Sequence, residues 1–461
     1  MILISQMSLL LLFIFFSGHA AFRLIIGNPH FAGKDAVSDA LALGVALIFL
    51  TFQLLDLLSI RFSFYLTISF LLSIIVAQTL FNRSFCKTPY RNYAATVREK
   101  NLVEILAFIL FLIYLTVRVY SALNIAAGQA AFAWDAWSSW APLSISYLNN
   151  GSFASDIVTP AASHGSFAPS MHIAGMLATN SQKEPITYFL WVVPYLATCT
   201  AIWQIIFIKT SNASCAMLGS FVFVSLPYPL IHLALPGYAD LWLMFFVTMI
   251  ALSFERFSAS RCIEFLVLSF VYCCIAFCIK QAAAIWVISA SIVLVFLCNS
   301  SRGRIFFKIN FAALSIVIVF AILQLAGQTE GSYVSSLIAL FSESAAKIIG
   351  ESFHRFDEGW VGYALVSTLF LTSNWHLLFA AVLFTSCYRL YTNNLAFEAS
   401  PTFTIGFVGV CLIYLFYSIF DASSAQNQTS LTRSLLPIAP IAVIVLSTNI
   451  WAILHHRALR I

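Results

Sequence analysis

Two carboxylates and two cations stand out in this sequence because of their surroundings. Asp135 lies inside Phe132-Ala133-Trp134-Asp135-Ala136-Trp137-Ser138-Ser139-Trp140. A carboxylate held among indole rings at a bilayer edge is partly desolvated, which suits a general base drawing a proton from an alcohol. Asp240 closes Leu235-Pro236-Gly237-Tyr238-Ala239-Asp240, where a turn enters an apolar run. Lys280 and Arg433 stand at the ends of later apolar runs and can offset the charge of a phosphate. His164 and His172 occur in Ser163-His164-Gly165-Ser166-Phe167-Ala168-Pro169-Ser170-Met171-His172 and can hydrogen-bond a sugar or a phosphate. Each feature also has a plainer explanation. Tryptophans anchor chains at membrane interfaces, Asp is a good helix N-cap, long cations snorkel to the interface, and a loop histidine is commonly just solvated.

The elements that must position these residues follow from composition. The chain has 461 residues, 61% apolar and only 9% charged. A soluble domain carries about 25% charged residues. So few charges cannot cover a water-facing surface, which excludes a soluble enzyme and a disordered chain. A net charge of +5 spread over this length is no nucleic-acid footprint. The fold class is therefore all-α: a polytopic transmembrane helix bundle with outward-facing loop helices. The ten cysteines fall mostly in apolar spans, so no disulfide framework is expected.

A bilayer core of about 30 Å needs roughly 20 apolar residues per helix. The sequence offers about 13 spans: 2–18, 37–57, 62–80, 102–124, 186–208, 214–234, 241–254, 263–279, 282–298, 309–326, 372–388, 403–420 and 435–453. Alternating them across the membrane puts 16 of the 23 Lys and Arg residues on one side. The positive-inside rule makes that side cytoplasmic, with the C-terminus there and the N-terminus outside. A cleavable leader ending near Gly18-His19-Ala20 is the lesser reading of the first span, which lacks a basic start. The outward polar stretches are 125–185, 235–240, 327–371 and 421–434. Within the third, Val334, Leu337, Ile338, Phe341, Ala345, Ile348 and Ile349 repeat with helical spacing. This is a helix lying on the outer face or packed on the bundle. Arg355, Asp357 and Glu358 follow it, either as a gate for an acceptor or as a plain surface ion pair.

Four passages carry a family resemblance. Trp134-Asp135-Ala136-Trp137-Ser138-Ser139-Trp140 and Gly237-Tyr238-Ala239-Asp240 resemble the two acidic motifs of bacterial GT-C glycosyltransferases. Cys278-Ile279-Lys280-Gln281-Ala282 resembles a later Lys-containing passage of these enzymes. Thr429-Ser430-Leu431-Thr432-Arg433-Ser434-Leu435-Leu436-Pro437 resembles their late Arg-x-Leu-Leu-Pro passage. The family includes protein O-mannosyltransferases and lipid A aminoarabinose transferases. In it the acidic loop commonly follows the first span, whereas three spans precede it here. Residues 1–100 then read as an N-terminal transmembrane addition, and 101–461 as the GT-C-like catalytic core with outward loops 125–185 and 327–371. The resemblance implies a multi-pass enzyme of the cell inner membrane. It would move a sugar from a polyprenyl-phosphate-linked donor to a hydroxyl of a glycan, lipid or protein acceptor on the non-cytoplasmic face. Asp135 and Asp240 would be catalytic, and Lys280, Arg433, His164 and His172 would bind the donor phosphate. No obligatory metal or cofactor is implied, although Asp135 and Asp240 together could hold a divalent cation.

Two other readings compete with this one. A lipid-linked-sugar transporter or flippase tends to place ionisable residues near the bilayer midplane and to show repeated halves. Here nearly all charges fall at span ends and no repeat is visible. An O-antigen ligase or polymerase typically leans on loop arginines and histidines. The long outward stretches hold few basic residues, namely Lys183, Lys347 and Arg355.

Overall fold

The computed structural model describes residues 2–26, 36–81, 102–128, 136–154, 165–182, 186–297, 361–391, 400–420 and 429–458. The chain enters through α1 (Ile2–Ile26), α2 (Val37–Leu57), α3 (Phe64–Phe81) and α4 (Leu102–Gly128). A π-helical turn, Ala136–Trp140, leads into α5 (Ala141–Asn150) and then α6 (Phe167–Thr179). A 3-10 turn, Ile186–Trp191, leads into α7 (Val192–Thr210), followed by α8 (Ala213–Ser225) and α9 (Pro227–Ala234). Next come α10 (Asp240–Ser260), α11 (Glu264–Phe277) and α12 (Ala283–Leu297). The later part holds α13 (Val361–Val366), α14 (Leu378–Tyr391), α15 (Pro401–Phe420), α16 (Thr429–Ser434) and α17 (Ile438–Ala458).

The described part is a helical membrane bundle. Seven helices are long and apolar enough to cross a bilayer, and α8 with α9 makes an eighth if that bent pair is one span. Five shorter apolar helices accompany them. Every expected span holds an apolar helix except 309–326, which lies outside the described residues. The segment 334–349 and the Arg355, Asp357 and Glu358 group also lie outside them.

Two expected spans differ in ways that matter. The run 214–234 is bent by 59° between α8 and α9. Pro227 is the cause: it lacks an N–H and drives Leu226 into extended backbone, with φ −65° and ψ 132°. The run 241–254, short for a span and read as extending at one end, extends at its C-terminal end, where α10 continues through Glu255 and Arg256 to Ser260. Those two charges stay helical because each finds a partner inside the bundle.

α10 is the centre of the structure. Every residue from Asp240 to Arg256 is buried, and the helix packs against α7, α11 and α15. A helix that is apolar all round is a core helix. α4 is the opposite case, exposing Leu106, Leu110, Ile113 and Val117. In this composition that surface faces lipid. α2 belongs to the central packing as well, touching α6, α7 and α10. α1 lies very close to α2. A Cβ at Gly18 would sit 1.8 Å from the Ala40 carbonyl oxygen, so only glycine permits that approach.

Candidate functional site

Asp240, Lys280 and Arg433 come from three distant passages and meet at one end of α10. Lys280 Nζ donates to Asp240 Oδ1 at 2.9 Å. Arg433 Nε and Nη2 both donate to Asp240 Oδ2, at 2.9 and 2.7 Å. Local sequence explains each placement. Gly237 adopts φ +105°, a conformation that L side chains rarely take, and so turns the chain sharply into α10. Lys280 sits in a tight turn between α11 and α12, with Ile279 N bonded to Ala276 O and Ala283 N to Lys280 O. Arg433 lies on α16, anchored by the fully buried Leu431, Leu435 and Leu436. Asp240 is not a cap. It occupies the first turn of α10, and its carboxylate bonds side chains rather than orphan backbone N–H groups.

The triad is unbalanced in charge and in exposure. One carboxylate, 3% exposed, is held between two cations that are 18% and 15% exposed. Within the triad, the groups that keep accessible surface are the two cations. Such an arrangement can receive an anion while the buried carboxylate fixes where the cations point.

Aromatic residues extend the cluster. The Arg433 guanidinium lies 4.6 Å from the Tyr238 ring centroid. The ring of Tyr238 is 5.4 Å from His232, His232 is 4.5 Å from Tyr228, and Tyr228 is 5.0 Å from Trp375. His232 is within electrostatic reach of all three charges. Its Nδ1 meets the Tyr228 carbonyl at 3.0 Å, while His232 Nε2 and Trp375 Nε1 are buried without a partner among the described residues. Sequence reasoning passed over His232, Tyr228 and Trp375. A histidine inside the apolar run 214–234 was the available signal.

The other expected site residues are placed differently. Asp135 and His164 lie outside the described residues. Their neighbours lead toward the triad on one side only. A Cβ at Gly165 would sit 1.8 Å from the Cys278 carbonyl, and Phe167 N donates to that same oxygen at 3.2 Å. The passage after His164 is thus seated two residues from Lys280. Trp140 is a buried core residue and not an interfacial anchor. His172 is held apart from the triad. It is fully enclosed, bonds Thr187 Oγ1 through Nε2 at 2.8 Å, and stacks on Tyr188 at 4.1 Å. Burial pushes its imidazole down to about 3, so it is neutral at pH 7. That environment is one of packing. Among the described residues no three His, Cys, Asp or Glu side chains are grouped as metal ligands.

A second charged network lies toward the other end of α10. Arg256 Nη1 donates to Asp39 Oδ2 at 2.6 Å, and Arg256 Nη2 to Gln204 Oε1 at 2.9 Å. Tyr272 Oη donates to Asp39 Oδ1 at 2.7 Å, and Ser38 Oγ to Gln204 at 3.0 Å. The Phe22 and Phe265 rings flank the guanidinium. Here one acid meets one base and both are buried.

Compared with known proteins, the chain matches no family model, no curated protein and no solved structure.

Proposed function

We propose that the chain is a membrane glycosyltransferase of the GT-C kind, a bundle of about thirteen spans in the cell inner membrane. It moves a sugar from a polyprenyl-phosphate donor to an acceptor hydroxyl at the non-cytoplasmic face. The observation that carries this reading is the meeting of Asp240, Lys280 and Arg433. These residues belong to three of the four passages that resemble the family, and they converge with both cations partly exposed.

The chemistry assigns each group a task. The donor phosphate sits against Lys280 and Arg433, where preorganised cations stabilise the charge that grows on it as the sugar departs. Both oxygens of Asp240 are engaged, so Asp240 holds the cations in place rather than moving protons. Asp135 takes the proton from the acceptor hydroxyl. The hydroxyl oxygen attacks the anomeric carbon, the bond from that carbon to the phosphate oxygen breaks, and the lipid phosphate leaves with inversion at the sugar. α10 supports an enzyme over a transporter, because it carries no ionisable residue between Asp240 and Glu255. Transporters place such residues near the midplane.

The test is release of polyprenyl phosphate from a panel of labelled polyprenyl-phosphate sugars by the purified protein in proteoliposomes. Asp135→Asn and Asp135→Ala are expected to lower release by about 10²–10⁴-fold, the range for a lost general base. Both should still elute as folded protein. Full activity in either variant removes Asp135 from the mechanism. Sugar carried across the bilayer with no new glycosidic bond makes the chain a transporter.

A further inference from the structure

α2 belongs to the stretch that precedes the four family-like passages, yet it reaches the triad through one intermediary. Gln53 Nε2 donates to Ser166 Oγ at 2.7 Å. Ser166 stands just before α6 and closes its first turn, its carbonyl accepting from Ser170 N at 3.0 Å and Ser170 Oγ at 2.8 Å. One turn earlier on α2, the Phe49 ring meets Phe167 at 5.5 Å between centroids. Two successive residues of the passage into α6 are thus gripped by α2, one by a hydrogen bond and one by a ring. The same end of α2 also holds the chain after α5, where Asp56 Oδ1 accepts from Phe153 N at 2.8 Å.

The gripped passage is the seat of the Lys280 turn. Phe167 N donates to the Cys278 carbonyl, and Gly165 approaches that carbonyl so closely that a Cβ would sit 1.8 Å from its oxygen. The fully buried Phe167 ring also meets Trp242 and Phe246 of α10, at 5.4 and 5.6 Å. One side chain is therefore wedged among α2, α10 and the turn. A close-packed interior passes a displacement on rather than absorbing it. The turn itself is tight, with Cys278 N bonded to Cys274 O and Ala283 N to Lys280 O. A shift at the Cys278 carbonyl is carried to Lys280 two residues on, and so to the 2.9 Å bond between Lys280 Nζ and Asp240.

We propose that Gln53, Gly165 and Ser166 are positioning residues for the Lys280 ammonium. α2 braces the passage 165–167, and that passage sets the turn that aims Lys280 at the donor phosphate. The inference rests on the phosphate role proposed for Lys280. It gives the N-terminal stretch a task in the reaction: α2 touches no reacting group and acts through the Cys278 carbonyl.

The test is the kinetics of polyprenyl phosphate release by Gln53→Leu, Ser166→Ala and Gly165→Ala, each made in the wild type and in Lys280→Gln. Gln53→Leu and Ser166→Ala break the hydrogen bond that joins α2 to the passage, and should lower kcat about two- to tenfold with KM little changed. Gly165→Ala forces the Cys278 carbonyl away, and should cost on the order of 10²-fold, as misplacements of about 1 Å can. In Lys280→Gln none of the three should lose anything further, because groups that act as one unit fail to add. Losses that multiply with that of Lys280→Gln mark general damage to the bundle and overturn the proposal. Amide hydrogen exchange supplies a readout that needs no activity. Gln53→Leu should speed exchange about twofold or more in the peptide holding Phe167 and in the turn 278–283, by loosening both locally. Unchanged exchange in both overturns the brace, and Gln53→Leu decides the matter if Gly165→Ala does not fold. A wild type that releases no polyprenyl phosphate defeats the glycosyltransferase reading instead, and exchange alone then judges the brace.

Discussion

The two ends of α10 hold the same kinds of side chain in different proportions. At one end Asp240 faces two cations, and those cations keep part of their surface open. At the other, Arg256 is the cation that Asp39 pairs with among the described residues, and Gln204, Tyr272 and two phenylalanines seal the pair. A closed one-to-one pair has no capacity left for a ligand, so its contribution is to join α2 to α10. An open two-to-one cluster keeps its cations, and not its carboxylate, partly exposed. The difference separates a structural ion pair from a candidate site more sharply than burial or distance does, because the geometry of the individual bonds is nearly the same at both ends.

The largest effect should come from breaking the sealed end. Arg256→Gln leaves Asp39 buried without its cation, which typically costs about 3–5 kcal/mol. A steep fall in the thermal midpoint in detergent is expected, with little protein recovered. Asp39→Leu combined with Arg256→Met removes both charges and should regain part of the loss, since well-packed apolar replacements are often neutral. If the single variant is as stable as wild type, the sealed pair is not what holds α2 in place.

The open end should respond in the reverse sense. Arg433→Gln leaves Asp240 paired with Lys280, so the fold should persist with a smaller change in midpoint than Arg256→Gln gives. Release of polyprenyl phosphate should fall by about 10²–10³-fold, equivalent to about 2.7–4 kcal/mol of lost charge stabilisation. A variant that unfolds without this selective loss would make the two ends equivalent and end the comparison.

The parts of this arrangement that were legible in the sequence were those where lipid makes polarity costly. Asp240, Lys280 and Arg433 were readable because a charge at a span end needs a reason, even though 193 positions separate the first from the last. Asp39 and Arg256 were not. Arg256 follows the apolar run 241–254 on the side that the positive-inside rule makes cytoplasmic, and Asp39 sits near the start of an apolar run where it resembles an interfacial acid. Nothing in spacing reveals that α2 and α10 lie side by side; only packing does. That α10 extends at its C-terminal end was hidden for the same reason, since Glu255 and Arg256 look like loop residues until their partners are known. The break after α8 was written plainly in Leu226-Pro227-Tyr228-Pro229. A hydropathy window averages across such a break and reports one span.

Another contrast lies between the triad and His172, the expected phosphate ligand that is held elsewhere. Its imidazole is pushed down by burial to about 3 in the fold, from an ordinary value near 6.5. The unfolded chain therefore takes up a proton before the native one does. The native state is fully favoured above pH 6.5 and loses ground as pH falls from there toward 3. Between pH 6.5 and 5 this single group should remove up to about 2 kcal/mol, at about 1.36 kcal/mol per pH unit. His172→Gln should flatten that part of the acid profile of the thermal midpoint while leaving the pH dependence of sugar transfer unchanged. A shifted pH profile of transfer would bring His172 back to the site.

The smallest effect expected is at Tyr238, whose ring lies 4.6 Å from Arg433 and 5.4 Å from His232. A cation over an aromatic face contributes about 0.5–1 kcal/mol at a partly exposed site. Tyr238→Leu keeps an apolar side chain of moderate size but removes the quadrupole that helps hold the guanidinium. The ion pairs to Asp240 remain, so the protein should fold normally and transfer should fall only about two- to fivefold, that energy being RT times the logarithm of the rate ratio. Tyr238→Phe keeps the ring face beneath Arg433 and should lose less than Tyr238→Leu does. If the two variants fail equally, the hydroxyl matters more than the ring. The open end would then be organised by hydrogen bonds, as the sealed end is.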